Sequence, residues 1–420
     1  MKLGVERGCG ALLAGRRSHK MPNLSMLKLD LINTVAFGGT ALFVGHGLRR
    51  LLPALARYNI PAPVVGGLLV ALVLLIGRAA GVDLITFDTR LQATFQIAFF
   101  TTIGLGASLS LLKVGGPQVV LLLLLASVLA IVQNAVGITL ARLLGMHPLF
   151  GVLNGSVTLA GGPATGLAFA QAFEDAGVHG AATVAVAASI VGIVAAGIVG
   201  GPIATILIER FFPGRTGLAA PVDVAPAPAA VAENRDSYAI LKTLVVILVA
   251  MWIGSGLGAW FTAAGIMLPA YIGAMIVAAV IRNTDDAVSV VGLSQGIVAD
   301  LGAVALALFL VLALMTLRLW ELAGLALPMI VILAVQIVVA AAVCWPAFYV
   351  MGRDYDAAVM QGGYSGFMLG TTANAMANME SLVGRYGPAP RAFLVVPVVG
   401  AFLLDFVNSL LIWFCLTIWA

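Results

Sequence analysis

Long stretches without Asp, Glu, Lys, Arg or His dominate this sequence and limit the folds open to it. Five of them cover residues 91–112, 114–141, 181–208, 243–281 and 322–352. At a rise of about 1.5 Å per residue, each can form a helix across a hydrocarbon core about 30 Å thick. Only 10% of the residues are charged, whereas a soluble domain carries about 25%. The apolar stretches do not alternate as β-barrel strands would, so the sequence predicts an all-α polytopic membrane protein.

The two halves of the chain resemble each other at an offset of about 208 residues. The segment LSLLKVGG at Leu109–Gly116 aligns with LRLWELAG at Leu317–Gly324, and Gly162 aligns with Gly370. One such match is weak in so apolar a chain, but a constant offset predicts an internal repeat.

The repeat predicts the following domain organisation. Residues 1–29 form a basic leader, expected to be disordered, and residues 212–237 form a Pro/Ala-rich linker in the cytoplasm. The first repeat covers residues 30–211 and the second covers 238–420. Spans are predicted at about 31–48, 62–78, 91–112, 117–141 and 184–208, and at about 240–261, 267–282, 299–317, 325–350 and 391–412.

Each repeat also contains an apolar segment interrupted by glycine, at 151–173 and at 357–379. If both segments enter the membrane and return, the chain makes ten crossings, and the 16 Lys and Arg residues beyond the leader divide 12 to 4. If both cross, they divide 7 to 9. The positive-inside rule favours re-entrant hairpins. Five crossings per half make the repeats inverted, with both termini outside.

The interrupted segments are the predicted binding site, because unpaired backbone groups inside a membrane must face protein, water or a ligand. Gly161 and Gly162 permit a turn, and Pro163 can open the returning half-helix, whose N-terminus suits a carboxylate. Substrate contacts are expected from Thr158, Gly161, Gly162, Thr165, Gly166, Ser365, Thr371, Thr372 and Asn374. Na⁺ contacts are expected from Ser156, Gly370, Asn378, Asp405 and Asn134.

These residues also have a purely structural interpretation. Gly, Ser and Thr line helix–helix interfaces in membranes, and Asn134 with Gln133 can serve helix packing. Asp405 is the charge placed deepest in a predicted span and needs Na⁺ or a substrate ammonium nearby, unless it reaches water at a helix end. The three cysteines form no CxxC pair, so we expect no disulfide and no transition metal.

Several stretches resemble one known family. They are IPAPVVGGLLVAL (Ile60–Leu72), AFFTTIGL (Ala98–Leu105), QNAVGI (Gln133–Ile138), LRLWELAGLALPM (Leu317–Met329), DYDAAV (Asp354–Val359) and AFLVVPVVGAFLLDFVN (Ala392–Asn408). With them the chain resembles the bacterial sodium–glutamate symporter family from about Met26 onwards. The resemblance implies uptake of glutamate across the bacterial inner membrane, with Na⁺ as coupling ion and no cofactor. It also implies a homodimer in which a transport domain moves against a scaffold as an elevator.

Departures from the family pattern concentrate in the interrupted segments. Ala160 and Pro163 stand where the family's SGGHGTG has serine and histidine. The second segment departs from GHCGFGLGATPTAIANM at Tyr364, Ser365, Met368, Thr371, Ala373 and Asn374.

Other functions remain open. A symporter for another small carboxylate is a close variant, and a channel would also use re-entrant segments. Gly363-Tyr364-Ser365-Gly366 has the pattern of an intramembrane serine protease. Such a serine needs a base within hydrogen-bond reach, and none of the four histidines is predicted at the middle of the membrane.

Overall fold

The computed structural model describes residues 27–82, 84–110, 116–215, 237–263, 270–289 and 291–419. Most of the predicted leader and linker lies outside these residues. The first half contains α1 (Leu31–Leu51), α2 (Pro53–Arg57), α3 (Ala62–Ala79), α4 (Arg90–Gly106), α5 (Gly116–Leu143), α6 (Pro148–Val152), α7 (Gly162–Asp175) and α8 (Ala181–Phe211). The second half contains α9 (Ser237–Ala263), α10 (Ala270–Val288), α11 (Gln295–Met315), α12 (Ala326–Val350), α13 (Tyr355–Leu369), α14 (Thr372–Tyr386), α15 (Pro390–Val398) and α16 (Leu404–Trp419).

Within the described part of the chain, eight helices are long and apolar enough to cross a membrane. They are α1, α3, α5, α8, α9, α11, α12 and the continuous segment formed by α15 and α16. The fold is that of a polytopic α-helical membrane protein. The other two of the ten predicted spans also form helices, but α4 has only 17 residues, and α10 carries Arg282, Asp285 and Asp286 in its last turns.

Two short strands, β1 (Leu27–Leu29) and β2 (Ile85–Phe87), form a parallel pair at one end of the helices. β1 lies inside the segment that the sequence predicted as a disordered leader, so the ordered chain begins before residue 30. β2 lies in the connection between α3 and α4.

The span predicted at 91–112 is too long. α4 ends at Gly106, and the side chain of Asn283 on α10 binds the backbone groups beyond it. Asn283 Nδ2 donates to Ala107 O (3.0 Å), while its Oδ1 accepts from the N–H of Leu109 (2.8 Å). The helix ends early because a distant polar side chain replaces the helical hydrogen bonds.

The helices pack as two groups. The first group contains α1, α3, α4, α9, α10 and α11, and the second contains α5 to α8 and α12 to α16. Each group packs mainly on itself, while α4 and α11 make the contacts with α7, α16 and the turn before α16. The largest buried apolar cluster centres on the second group.

Two π-helical turns, which the sequence did not predict, interrupt the second group. Leu153–Val157 follows α6 and is kinked at Gly155, whose φ of −108° and ψ of −128° are not helical, and Val399–Leu403 joins α15 to α16. A π-helical turn leaves carbonyl groups outside the regular helical pattern and is frequent at functional sites. Together α6, the first π-helical turn and α7 form the first hairpin, and α13 with α14 form the second hairpin.

Candidate functional site

The tips of the two hairpins meet inside the protein. A Cβ built at Gly162, in the first tip, would lie 3.7 Å from the carbonyl oxygen of Gly370 and 4.0 Å from Thr371 Cγ2, in the second tip. The segments that the sequence singled out as interrupted are therefore in contact.

Backbone hydrogen bonds and the conformations of a glycine and a proline form the first tip. The carbonyl of Ser156 accepts the N–H groups of Ala160 (3.1 Å) and Gly161 (3.0 Å), which closes the turn after the π-helical segment. Gly162 has a φ of 66°, which favours glycine. Pro163 then lies in the first turn of α7, where it sacrifices no helical hydrogen bond.

A threonine pair forms the second tip. Thr371 Oγ1 accepts from the N–H of Asn374 (3.4 Å) and donates to Asn374 Oδ1 (2.8 Å), which caps the start of α14. Thr372 Oγ1 donates to Gly400 O (2.8 Å) in the second π-helical turn. The second tip is thereby fixed to the segment that carries Asp405.

A cavity of about 540 Å³ lies between the tips and the first helix group. Both α7 and α14 begin at its wall, so the first backbone N–H groups and the positive partial charges of two helix N-termini lie beside it. His46 and Arg49, near the end of α1, line the cavity on one side, and Asp405 of α16 lines it on the other. This arrangement suits a small solute with both negative and positive groups.

Arg49 and Asp405 have no ion-pair partner among the residues that the structure describes. By contrast, Arg385 pairs with Glu209 (3.3 Å), and Arg391 pairs with Asp354. The two charges at the cavity are therefore available to a ligand.

The predicted site residues separate into two sets. Those that line the cavity are Gly161, Gly162, Gly370, Thr371, Thr372 and Asp405. Those that lie behind its wall are Asn134, Ser156, Thr158, Thr165, Gly166, Ser365, Asn374 and Asn378.

Several residues of the second set hold backbone groups. Thr158 Oγ1 donates to Leu153 O (2.8 Å), and the Asn374 amide donates to Ile193 O (3.1 Å). Asn134 Oδ1 accepts from the N–H of Ser156 (3.0 Å). These three residues support the hairpins from behind.

Asn378 lines a second cavity of about 650 Å³, between α8 and α14, together with Arg57 and Arg385. The amide of Asn378 also donates to Ala196 O and Gly362 O (3.1 Å each). Residues of α14 line both cavities.

Ser365 lacks the surroundings of a nucleophile. It is fully buried, and its hydroxyl donates to the carbonyls of Gln361 (2.8 Å) and Gly362 (3.2 Å). No histidine contacts it among the described residues, and a serine without a base is a weak nucleophile.

Arg49 and His46 are the site residues that the sequence did not reveal. In the sequence, Arg49 is one of the 16 Lys and Arg residues whose distribution indicates the topology, and His46 is one of four histidines, none predicted at the middle of the membrane. Their place at the cavity depends on how α1 packs beside the hairpins, for which one sequence contains no local signal. Within the described residues, no cluster of His, Cys, Asp and Glu could hold a metal ion.

Comparison with known proteins gives one consistent family. A family model described as sodium/glutamate symporter matches residues 27–388. The chain is 39% identical over 394 residues to the sodium/glutamate symporter of Escherichia coli, which covers 92% of this chain and 97% of that protein. It is 38% identical over 384 residues to the sodium/glutamate symporter of Haemophilus influenzae, covering 90% of this chain and 95% of that protein.

Proposed function

Because this chain belongs to the sodium/glutamate symporter family, and so is a secondary transporter rather than an enzyme, we propose that it binds glutamate in the cavity between its hairpins. The convergence of two helix N-termini on a cavity with one free cation and one free anion supports this proposal. The volume of about 540 Å³ falls in the range of small-molecule sites.

The charges of glutamate can be matched to the cavity. A carboxylate is stabilised at the starts of α7 and α14 by free N–H groups, with Thr371 and Thr372 beside it. Asp405 meets the ammonium group, and Arg49 meets the second carboxylate. Thr158, Thr165, Gly166, Ser365 and Asn374 act from behind the wall by fixing the hairpins.

We also propose that the two halves are inverted repeats with re-entrant hairpins. The same order of elements occurs in both halves, and the packing is reciprocal, because α3 packs on α11 while α10 packs on α4. Close approaches recur as well. A Cβ at Gly45 would lie 2.2 Å from Ala62 O, and one at Gly254 would lie 2.3 Å from Ala274 Cα.

The second helix group then acts as the mobile transport domain, and the first group acts as the scaffold of a homodimer. The position of the cavity along the boundary between the groups supports this elevator mechanism, since sliding of one group would carry the site with it. Arg49 lies where the cavity meets the end of α1, which the topology assigns to the cytoplasm. Both termini then lie outside, with the protein in the bacterial inner membrane.

Uptake of labelled glutamate into proteoliposomes tests the proposal. We expect accumulation only with an inward Na⁺ gradient, and not with K⁺ or with a proton gradient alone. Excess unlabelled glutamate should compete more strongly than other small carboxylates; the reverse order would favour another substrate. Steady currents without substrate in a planar bilayer would instead favour a channel.

A further inference from the structure

A cluster of buried polar side chains surrounds the π-helical turn of the first hairpin. Asn154 and Ser156 belong to the turn itself, while Gln133 of α5, Gln336 of α12 and Asn408 of α16 pack around it. All five side chains are 0% exposed. Among the described residues, no hydrogen-bond partner reaches Oε1 of either glutamine, Oδ1 of either asparagine or Oγ of the serine.

The orientation of the four amides is fixed by their nitrogen atoms. Each nitrogen donates to a backbone carbonyl, namely Gln133 to Met368 (3.0 Å), Gln336 to Gln133 (2.6 Å), Asn154 to Phe150 (2.8 Å) and Asn408 to Ser156 (3.0 Å). A carbonyl oxygen only accepts, so none of these amides can be flipped without losing its bond. The oxygens are therefore the atoms without partners.

A cation fits these oxygens better than water does. A buried polar atom without a partner destabilises the fold, and five such atoms belong to residues on or packed against one turn. Water donates two hydrogen bonds but also needs donors for its own oxygen, and four of these five atoms can only accept. Neutral oxygen ligands next to an interrupted helix are typical of Na⁺ sites in transporters.

We infer that this cluster binds a Na⁺ ion that drives transport. The inference rests on the proposed function and locates one Na⁺ site away from the glutamate cavity. Asn134 positions the turn, because its Oδ1 accepts from the N–H of Ser156 (3.0 Å). Among the residues predicted to bind Na⁺, Ser156 belongs to this cluster and Asn134 contacts it.

The cluster is connected to both hairpin tips. The carbonyl of Ser156 accepts the N–H groups of Ala160 and Gly161, which line the glutamate cavity. The amide of Gln133 donates to Met368 O, two residues before Gly370 in the second tip. An ion that orders these side chains therefore fixes both tips, which makes glutamate binding depend on Na⁺.

Ser156→Ala tests the site, with Ser189→Ala as its matched control. Both serines are fully buried in the second helix group, but the Ser189 hydroxyl donates to Ala185 O (2.7 Å), whereas the Ser156 hydroxyl has no partner. The thermal unfolding midpoint of purified protein is measured against NaCl at constant ionic strength, with choline as the replacement and without glutamate. Equilibrium binding of ²²Na⁺ is measured on the same samples.

We expect Ser156→Ala to raise the Na⁺ concentration for half-maximal stabilisation at least about tenfold, since it removes one ligand oxygen. Ser189→Ala should leave it unchanged, and Gln336→Met should repeat the effect of Ser156→Ala. The unfolding midpoint in choline reports folding independently of Na⁺. Unchanged Na⁺ dependence in both site variants would overturn the inference, as would an equal shift in the Ser189 control. Failure of the proposed function would appear separately, as wild-type glutamate uptake that ignores Na⁺.

Discussion

Replacing Asp405 by Asn should separate ligand binding from fold stability. The carboxylate of Asp405 lines the glutamate cavity and has no ion pair among the described residues. Removing its charge therefore leaves no cation of the protein without a partner. Asn keeps the size of the side chain and the ability to accept a hydrogen bond.

Asp405→Asn is expected to preserve or raise the stability of the ligand-free protein but to weaken glutamate binding. An unpaired carboxylate within a membrane costs about 2.5–3.5 kcal/mol by insertion scales, so Asp405→Asn should leave the ligand-free protein equally or more stable. In the proposed bound state Asp405 meets the substrate ammonium, and a hydrogen bond between charged groups contributes about 1.5–3 kcal/mol. Its loss should raise the Kd for glutamate about 10- to 100-fold.

Isothermal titration with glutamate at saturating Na⁺ measures the affinity, and thermal unfolding without glutamate measures the stability. Asp354→Asn is the matched control, because Asp354 pairs with Arg391 away from the cavity and Asn preserves its cap on α13. We expect an unchanged Kd for this control. A ligand-free Asp405→Asn protein less stable than wild type, with unchanged Kd, would refute the reasoning and give Asp405 a structural role.

Further predictions concern the first tip, the cavity mouth and the end of α10. Gly162→Ala should lower glutamate affinity, because Gly162 forms the tip at a φ of 66° and the left-handed conformation costs an alanine about 1–2 kcal/mol. Gly177→Ala, at a φ of 92° in a loop, is the control: it should lower stability in thermal unfolding by a similar amount and leave the Kd for glutamate unchanged. Arg49→Gln should raise the KM of uptake about tenfold, whereas Arg50→Gln, at the same helix end but not lining the cavity, should leave KM unchanged. Burial raises the pKa of Asp285, but hydrogen bonds from three backbone N–H groups outweigh it and hold that pKa below its usual range. The stabilisation from the ionised Asp285 is present above the unfolded pKa of about 3.9 and is lost as pH falls through the folded pKa. Asp285→Asn lacks this carboxylate, so its stability should fall less than that of wild type between pH 5 and pH 2. Acid unfolding followed by circular dichroism measures the difference.

Features with a local cause were predictable from the sequence. Each predicted span contains a helix because apolar side chains leave a membrane segment no other way to satisfy its backbone. The first tip was predictable for a similar reason, since Gly161, Gly162 and Pro163 permit few conformations besides a turn followed by a helix start.

Features with a distant cause were not predictable. The end of α4 at Gly106 depends on Asn283, more than 170 residues away. The place of Arg49 at the cavity depends on the packing of α1 beside the second helix group. The π-helical turn around Ser156 depends on polar partners from α5, α12 and α16, which are otherwise apolar helices.

The departures from the family pattern fall into two groups, according to whether or not they line the cavity between the hairpins. Ala160, Pro163, Thr371 and Ala373 line the cavity between the hairpins. The remaining departures, at Tyr364, Ser365, Met368 and Asn374, lie behind its wall. A change behind the wall can be compensated by repacking, whereas a change on the wall alters the groups that the solute meets. Proline and alanine in place of histidine and serine remove side-chain donors from the first tip, so carboxylate recognition there falls to the backbone N–H groups at the start of α7. Any difference in substrate preference from the family is therefore expected to originate at the departures that line the cavity.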